Sequence, residues 1–188
     1  MRPFIHNTSY VEKPSQIGEN TKIWHFCHIM TNAKIGDNCI LGQNVFIGPN
    51  VVIGNNTKIQ NNVSIFDGVT CEDNVFIGPS VVFTNVMNPR SFIERKEEFK
   101  KTLLEEGCSI GANSTIICGN TVGKFSFVGA GSVVNRDINN FELVVGNPIR
   151  NIGWVNLEGE KLDFSKNNTI ESNGKTYNLS NNKVKIIK

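Results

Sequence analysis

The chain has 188 residues, 39% of them hydrophobic, and a formal net charge of +2 at pH 7. That length suits one domain with at most a small appendage, and so slight a charge argues against bulk binding of nucleic acid or anionic membrane. The N-terminal MRPFIHNTSY has no apolar run of signal-peptide length and no stretch is apolar enough to span a bilayer, so a cytosolic protein without a membrane partner is expected.

Residues 1 to about 16 are expected to cap the open end of a repeat whose rhythm Ile5 and Val11 already carry. From Ile17 to Phe83 an apolar residue returns at every sixth position: Ile17, Ile23, Ile29, Ile35, Leu41, Ile47, Ile53, Ile59, Ile65, Cys71, Ile77, Phe83. Gly commonly follows it, and the residue two positions earlier is small or β-branched, as at Ala33, Val45 and Thr57. A period of six fits neither an amphipathic helix nor simple strand alternation. It fits a short strand and a turn used repeatedly, and internal repetition of this kind decides the fold. Asn also recurs eighteen apart, at 20, 38, 56 and 74. Three hexapeptides therefore make one coil, and the Asn ladder reads as corner-turn chemistry, because Asn tolerates left-handed backbone angles.

The rhythm resumes at Ile110 and runs through Ile116, Val122, Val128 and Val134. With Asn113 read as rejoining the ladder, Ile110 follows Phe83 without a change of phase, across an insertion of 21 residues. The inserted loop is placed at 84–106, TNVMNPRSFIERKEEFKKTLLEE. It is rich in charge, yet Phe92, Ile93 and Phe99 argue that it docks on its own prism or a neighbour. The expected architecture is an all-β triangular prism of about six coils over residues 1–154, each coil rising about 4.8 Å. Residues 155–188 form a C-terminal extension with a hairpin at Ser172-Asn173-Gly174-Lys175, too small for a core of its own.

Cys27, Cys39, Cys71, Cys108 and Cys118 form no CxxC pair, so a zinc site of the usual spacing is not expected. They read as reduced core residues, with Cys118, on a turn, the accessible one.

The hexapeptide pattern resembles the left-handed parallel β-helix acyltransferases over about residues 5–155. The left hand rests on that resemblance alone, since parallel crossovers are ordinarily right-handed. Several strings resemble one branch more closely: KIWHFCHI at 22–29, LGQNVFIG at 41–48, KIQNNVSIFDGV at 58–69, VFTNVMNPRS at 82–91 and GNPIRNIGW at 146–154. They are similar to N-acetyltransferases acting on nucleotide-linked 3-amino sugars, of the UDP-2-acetamido-3-amino-2,3-dideoxyglucuronate or dTDP-3-amino-3,6-dideoxyhexose type. The resemblance implies acetyl-CoA as co-substrate, no metal, a role in cell-surface polysaccharide (such as O-antigen) biosynthesis, and a homotrimer with sites between neighbouring prisms.

Eighteen-residue stacking sorts the candidate residues by corner. Thr31, Pro49, Asp67 and Asn85 share one. His25, Gln43, Asn61 and Pro79 share another. Glu19, Asp37, Asn55 and Asp73 are grouped on the third with Ala112 and Ala130. On the resemblance, Gly111, Ala112, Gly129 and Ala130 would lie along the pantetheine arm of acetyl-CoA, with Lys124 and Arg150 at its phosphates. Asn85 is the first candidate for catalysis: its carboxamide can hold a sugar amine with the lone pair toward a thioester. Asp67, one coil below, would orient the amine or accept its proton, and His25 is the rival base. His25, Gln43 and Asn61 form a polar strip suited to substrate, while Arg90, Arg95 and Lys96 are candidates for a diphosphate or a sugar carboxylate.

Two other functions fit the same scaffold. A γ-type carbonic anhydrase needs three converging His, and this chain has only His6, His25 and His28. A non-enzymatic trimeric scaffold would bind partners through the inserted loop and lose nothing in Asn85→Ala.

Overall fold

A computed structural model describes all residues, 1–188. Two-residue strands alternate with turns and stack in parallel into a three-sided β-helix. Face I runs from Phe4–Ile5 through Lys22–Ile23 up to Phe127–Val128 and Glu142–Val145. Face II runs from Tyr10–Val11 through His28–Ile29 to Val133–Val134, and face III from Gln16–Ile17 to Thr121–Val122. Successive coils pair eighteen residues apart, as Ile23 with Leu41 and Ile29 with Ile47. The recurring apolar residues point inward and form one buried cluster that runs the length of the prism.

Every corner must turn sharply, and most do so with one residue in the left-handed region. Asn20, Asn38, Asn56 and Asn74 adopt φ near +60°, and so do Asn32, Asn44, Asn50 and Asn62 on the other corners. Asn therefore marks a corner without saying which corner it is. On the III–I corner a second ladder locks coil to coil. The side-chain Oδ1 of Asp37 accepts the Glu19 N–H at 2.7 Å, that of Asn55 accepts Asp37 N–H at 2.8 Å, and that of Asp73 accepts Asn55 N–H at 2.7 Å.

The structure corrects four expectations about the scaffold. Residues 1–16 form a full first coil, with Phe4, Tyr10 and Gln16 in register on their three faces, so the prism has about seven coils. The insertion ends at residue 101, because Thr102–Leu104 is a strand pairing with Val69–Cys71. Leu104 lies on Cys71 and Ile110 on Ile77, each 33 residues apart, so the excess over one coil is 15 residues. Ile110 thus belongs to face I, one face away from its expected place. Cys118 is 3% exposed and buried like the other four thiols, its N–H bonded to Thr84 Oγ1 at 2.9 Å.

The extension is more than a hairpin. Thr169–Ser172, Lys175–Ser180 and Lys183–Ile186 make a three-stranded antiparallel sheet, and the 172–175 turn is where the sequence places it. It gains a core by sharing Phe141 and Trp154 of the last coil with its own Leu162, Tyr177 and Val184. Tyr177 Oη also accepts the Leu157 N–H at 3.1 Å. This sheet covers the C-terminal end of the prism, where open strand edges would otherwise remain. No helix is long and apolar enough to cross a membrane.

Candidate active site

The corrected register regroups the candidate residues. Proceeding up the I–II corner, Ala112 now follows Pro79 and Ala130 follows Ala112. A Cβ added at Gly78 would lie 2.7 Å from Ala112 N, and one at Gly111 would strike the Ala130 backbone. His25, Gln43, Asn61, Pro79, Ala112 and Ala130 therefore share one edge. The long polar side chains sit at its N-terminal half and the small ones at its C-terminal half. Gly111 and Gly129 are explained by stacking alone: a Cβ on Gly129 would sit 2.6 Å from Val145 Cγ1.

Within this edge the roles differ. Asn61 Oδ1 is occupied by the Gln43 N–H at 2.8 Å, so Asn61 is a ladder residue before it is a binding residue. His25 lies ring to ring with His6, centroids 3.6 Å apart, beside Trp24 and Phe26. Arg150 pairs with Val145 directly above Gly129, which places it at the C-terminal end of the same edge.

Lys124 does not join them. The true third corner continues from Asp73 to Glu106 and Lys124, and the Lys124 ammonium lies 3.4 Å from Glu106 and 4.0 Å from Glu72. Glu105 Oε2 also accepts the Lys124 N–H at 3.1 Å. A cation ringed by carboxylates is a poor phosphate contact, so Lys124 leaves the cofactor set.

Asp67 and Asn85 occupy the II–III corner on successive coils, both half-buried. Asn85 stands where the chain leaves the prism, and its carbonyl accepts the Lys100 N–H at 2.9 Å, closing the neck of the inserted loop. Asp67 Oδ2 receives Asn50 Nδ2 at 3.3 Å. In the loop, Arg95 is held bidentate by Glu98 at 2.7 and 2.8 Å, and Lys96 by Glu94 at 2.9 Å. Arg90, whose side chain reaches only the Pro89 carbonyl, is the loop arginine without a carboxylate. His28 Nε2 lies 2.8 Å from Glu12, which also accepts the Thr31 N–H, and these contacts hold the Glu12 carboxyl below its ordinary range. His28 is thus turned away from the His6–His25 pair, and the three His do not converge within a subunit.

Sequence reasoning missed Trp24 and Phe26 as site candidates. The signal was present: Phe26 takes the turn position that Asn44 and Asn62 hold on the next two coils.

Two family profiles match this chain. One, described as bacterial transferase hexapeptide (six repeats), covers residues 14–49. The other, hexapeptide repeat of succinyl-transferase, covers 32–67 and 102–136, resuming where the prism does. A hexapeptide-repeat acetyltransferase of Vibrio cholerae, solved with acetyl coenzyme A, superposes with a TM-score of 0.51 at 33% identity, covering 61% of this chain and 69% of that one. A galactoside acetyltransferase in complex with coenzyme A gives 0.55 at 28% identity, covering 71% and 72%. In sequence, the dTDP-3-amino-3,6-dideoxy-alpha-D-galactopyranose 3-N-acetyltransferase of Aneurinibacillus thermoaerophilus is 46% identical, over 93% of this chain and 90% of that protein. The chain belongs to the hexapeptide-repeat acyltransferases. Within them, its likeness is to an enzyme that N-acetylates a dTDP-linked 3-amino sugar.

Proposed function

We propose that this protein transfers the acetyl group of acetyl-CoA to the 3-amino group of a dTDP- or UDP-linked amino sugar. The product serves a cell-surface polysaccharide, and the enzyme works in the cytosol as a homotrimer. The supporting observation is the corrected stacking. It gathers His25, Gln43, Ala112, Ala130 and Arg150 on one edge and leaves Asp67 and Asn85 on the next edge, across face II.

Face II is suited to bring these edges together between subunits. Its outward residues Tyr10, His28, Phe46, Ser64, Val82, Thr115 and Val133 include no Lys, Arg, Asp or Glu, whereas Lys22 and Lys58 stand on face I and Lys34 on face III. Tyr10, His28 and Phe46 form a ring ladder with spacings of 5.7 Å, extended to Phe66 at 5.6 Å. With face II toward a threefold axis, the I–II edge of one prism meets the II–III edge of the next at equal height. The inserted loop then reaches the neighbour, which gives Met87, Phe92 and Ile93, all exposed, something to cover.

In that cleft the pantetheine arm lies along Ala112 and Ala130, with Arg150 at the CoA phosphates. Asn85 of the facing subunit accepts a hydrogen bond from the sugar amine and directs its lone pair at the thioester carbonyl carbon. The C–N bond forms, the C–S bond breaks, and the proton lost by nitrogen passes to Asp67 or solvent and finally to the CoA thiolate. A neutral amine is a competent nucleophile, so positioning supplies much of the rate. His25 lies on coil two, three coils from Asn85, too far along the axis to act as the base.

Thiol release measured with dTDP- and UDP-linked 3-amino sugars tests this reading, with light scattering for the trimer. No CoA release with either nucleotide class would overturn it.

A further inference from the structure

The N-terminal coils carry an aromatic group that the fold does not need. Phe26 has φ +58° and is 59% exposed. A bulky residue in the left-handed region is strained, and such strain persists only where surrounding contacts enforce it. Here Thr8 Oγ1 accepts the Phe26 N–H at 3.0 Å and Ser9 Oγ accepts the Cys27 N–H at 2.9 Å, fixing the turn from the coil below. Asn44, Asn62 and Asn113 serve the same turn on other coils without strain. Phe125 and Phe141 are also left-handed, but their rings stack 5.5 Å apart against the core of the extension. Phe26 has no such packing. Its ring lies 6.1 Å from that of His25, which in turn is nearly parallel to the ring of Trp24 at 6.3 Å; Trp24, itself 40% exposed, lies 5.6 Å from Phe4.

We infer that Trp24 and Phe26 form a stacking platform for the nucleobase of the nucleotide-sugar substrate. The inference rests on the cleft described above and assigns its other half. Acetyl-CoA fills the groove above the level of Asn85, along Ala112 and Ala130, so the rest of the sugar nucleotide must run toward the N-terminal coils. Trp24 lies three coils below Gly78, about 14 Å at one strand spacing per coil, a length that a diphosphate and ribose bridge. The I–II edge between Trp24 and Pro79 carries no carboxylate to repel the phosphates, its side chains being His25, Phe26, Gln43, Asn44, Asn61 and Asn62. Aromatic faces bind bases through stacking with little regard to their identity, which suits thymine and uracil equally.

The test is calorimetric titration of dTDP and of UDP into the full-length protein and into Phe26→Asn and Trp24→Ala. Phe26→Asn installs the residue that other coils use, so a structural role predicts an equal or better protein. The platform predicts a different split. The melting temperature holds or rises, the trimer persists, KM for acetyl-CoA is unchanged, and Kd for dTDP rises about tenfold or more, ~1.4 kcal/mol. Trp24→Ala shows the same loss of nucleotide affinity. Affinities within twofold of wild type in both variants overturn the inference, as does dissociation of the trimer, which would make these rings a subunit contact. Wild-type acetylation with unaltered variants removes the platform alone. A wild type that neither binds either nucleotide nor releases CoA removes the proposed function with it.

Discussion

Asn85→Ala separates the enzyme from every scaffold function. The backbone carbonyl of Asn85 accepts the Lys100 N–H at 2.9 Å and closes the loop neck, and alanine keeps that bond. The carboxamide itself has no partner among the side-chain bonds of the II–III corner, where Asp67 pairs with Asn50. Stability should therefore change by no more than about 0.5 kcal/mol, as for a surface substitution. Activity should respond differently. The amine gains positive charge as it attacks, so the hydrogen bond to Asn85 strengthens in the transition state. A bond to a charged group contributes about 1.5–3 kcal/mol, which at 1.36 kcal/mol per decade is a loss of about 10- to 150-fold in kcat. KM for acetyl-CoA should stay fixed, because the arm lies on the facing edge. The assay is thiol release at saturating substrates, with thermal melting and light scattering on the same sample. A variant with more than half of wild-type kcat and an intact trimer would refute the role given to Asn85.

Ala112→Leu should raise KM for acetyl-CoA at least about tenfold while leaving KM for the nucleotide sugar and the melting temperature near wild type, since the side chain points along the edge and out of the core; an unchanged KM would remove the pantetheine path. Glu142, 2% exposed, is pushed up by burial, but the Arg136 guanidinium at 2.8 Å and the Asn139 N–H at 2.8 Å outweigh this and hold its carboxyl below the usual 4.5. Its contribution is complete above pH 4.5 and is lost as pH falls through the lower folded-state value. Glu142→Gln should cost about 1–3 kcal/mol at pH 7, and the gap from wild type should narrow below pH 4.5; a gap independent of pH would contradict this. Thr102 Oγ1 is buried without a hydrogen-bond partner, so Thr102→Val should raise stability by about 1 kcal/mol; a lower melting temperature would mean that the hydroxyl is satisfied in the trimer. Burial pushes the thiols of Cys27, Cys39, Cys71 and Cys108 up, and Cys118 is as deeply covered. All five should therefore resist an aromatic disulfide reagent until denaturant is added; fast reaction of one thiol would place it at the surface.

The prism was legible because a stacked repeat makes long-range order local. Each hexapeptide must bury the same apolar residue, turn at the same place and admit the same small neighbour, so Ile17 through Phe83 declare one another. Leu104 was legible too, six residues before Ile110 with Thr102 two before it, as Thr57 precedes Ile59. Glu105, standing where other repeats carry Gly, concealed it. Asn113 then misled, because a left-handed turn occurs at all three corners and Asn serves each of them.

By itself the sequence determined the coil, the inward residues and the corner occupied by everything before residue 84. Only the tertiary structure decided how the chain re-enters after the loop, because residues that leave a solenoid carry no periodicity and the pairing of Leu104 with Cys71 is fixed by hydrogen bonds. That single pairing moved Ala112 and Ala130 onto the edge of His25 and Gln43, and set Lys124 on the III–I corner beside Glu72 and Glu106. It also separated the ring of Phe26 from those of Phe125 and Phe141: all three share one backbone strain, and only packing shows which is left uncovered.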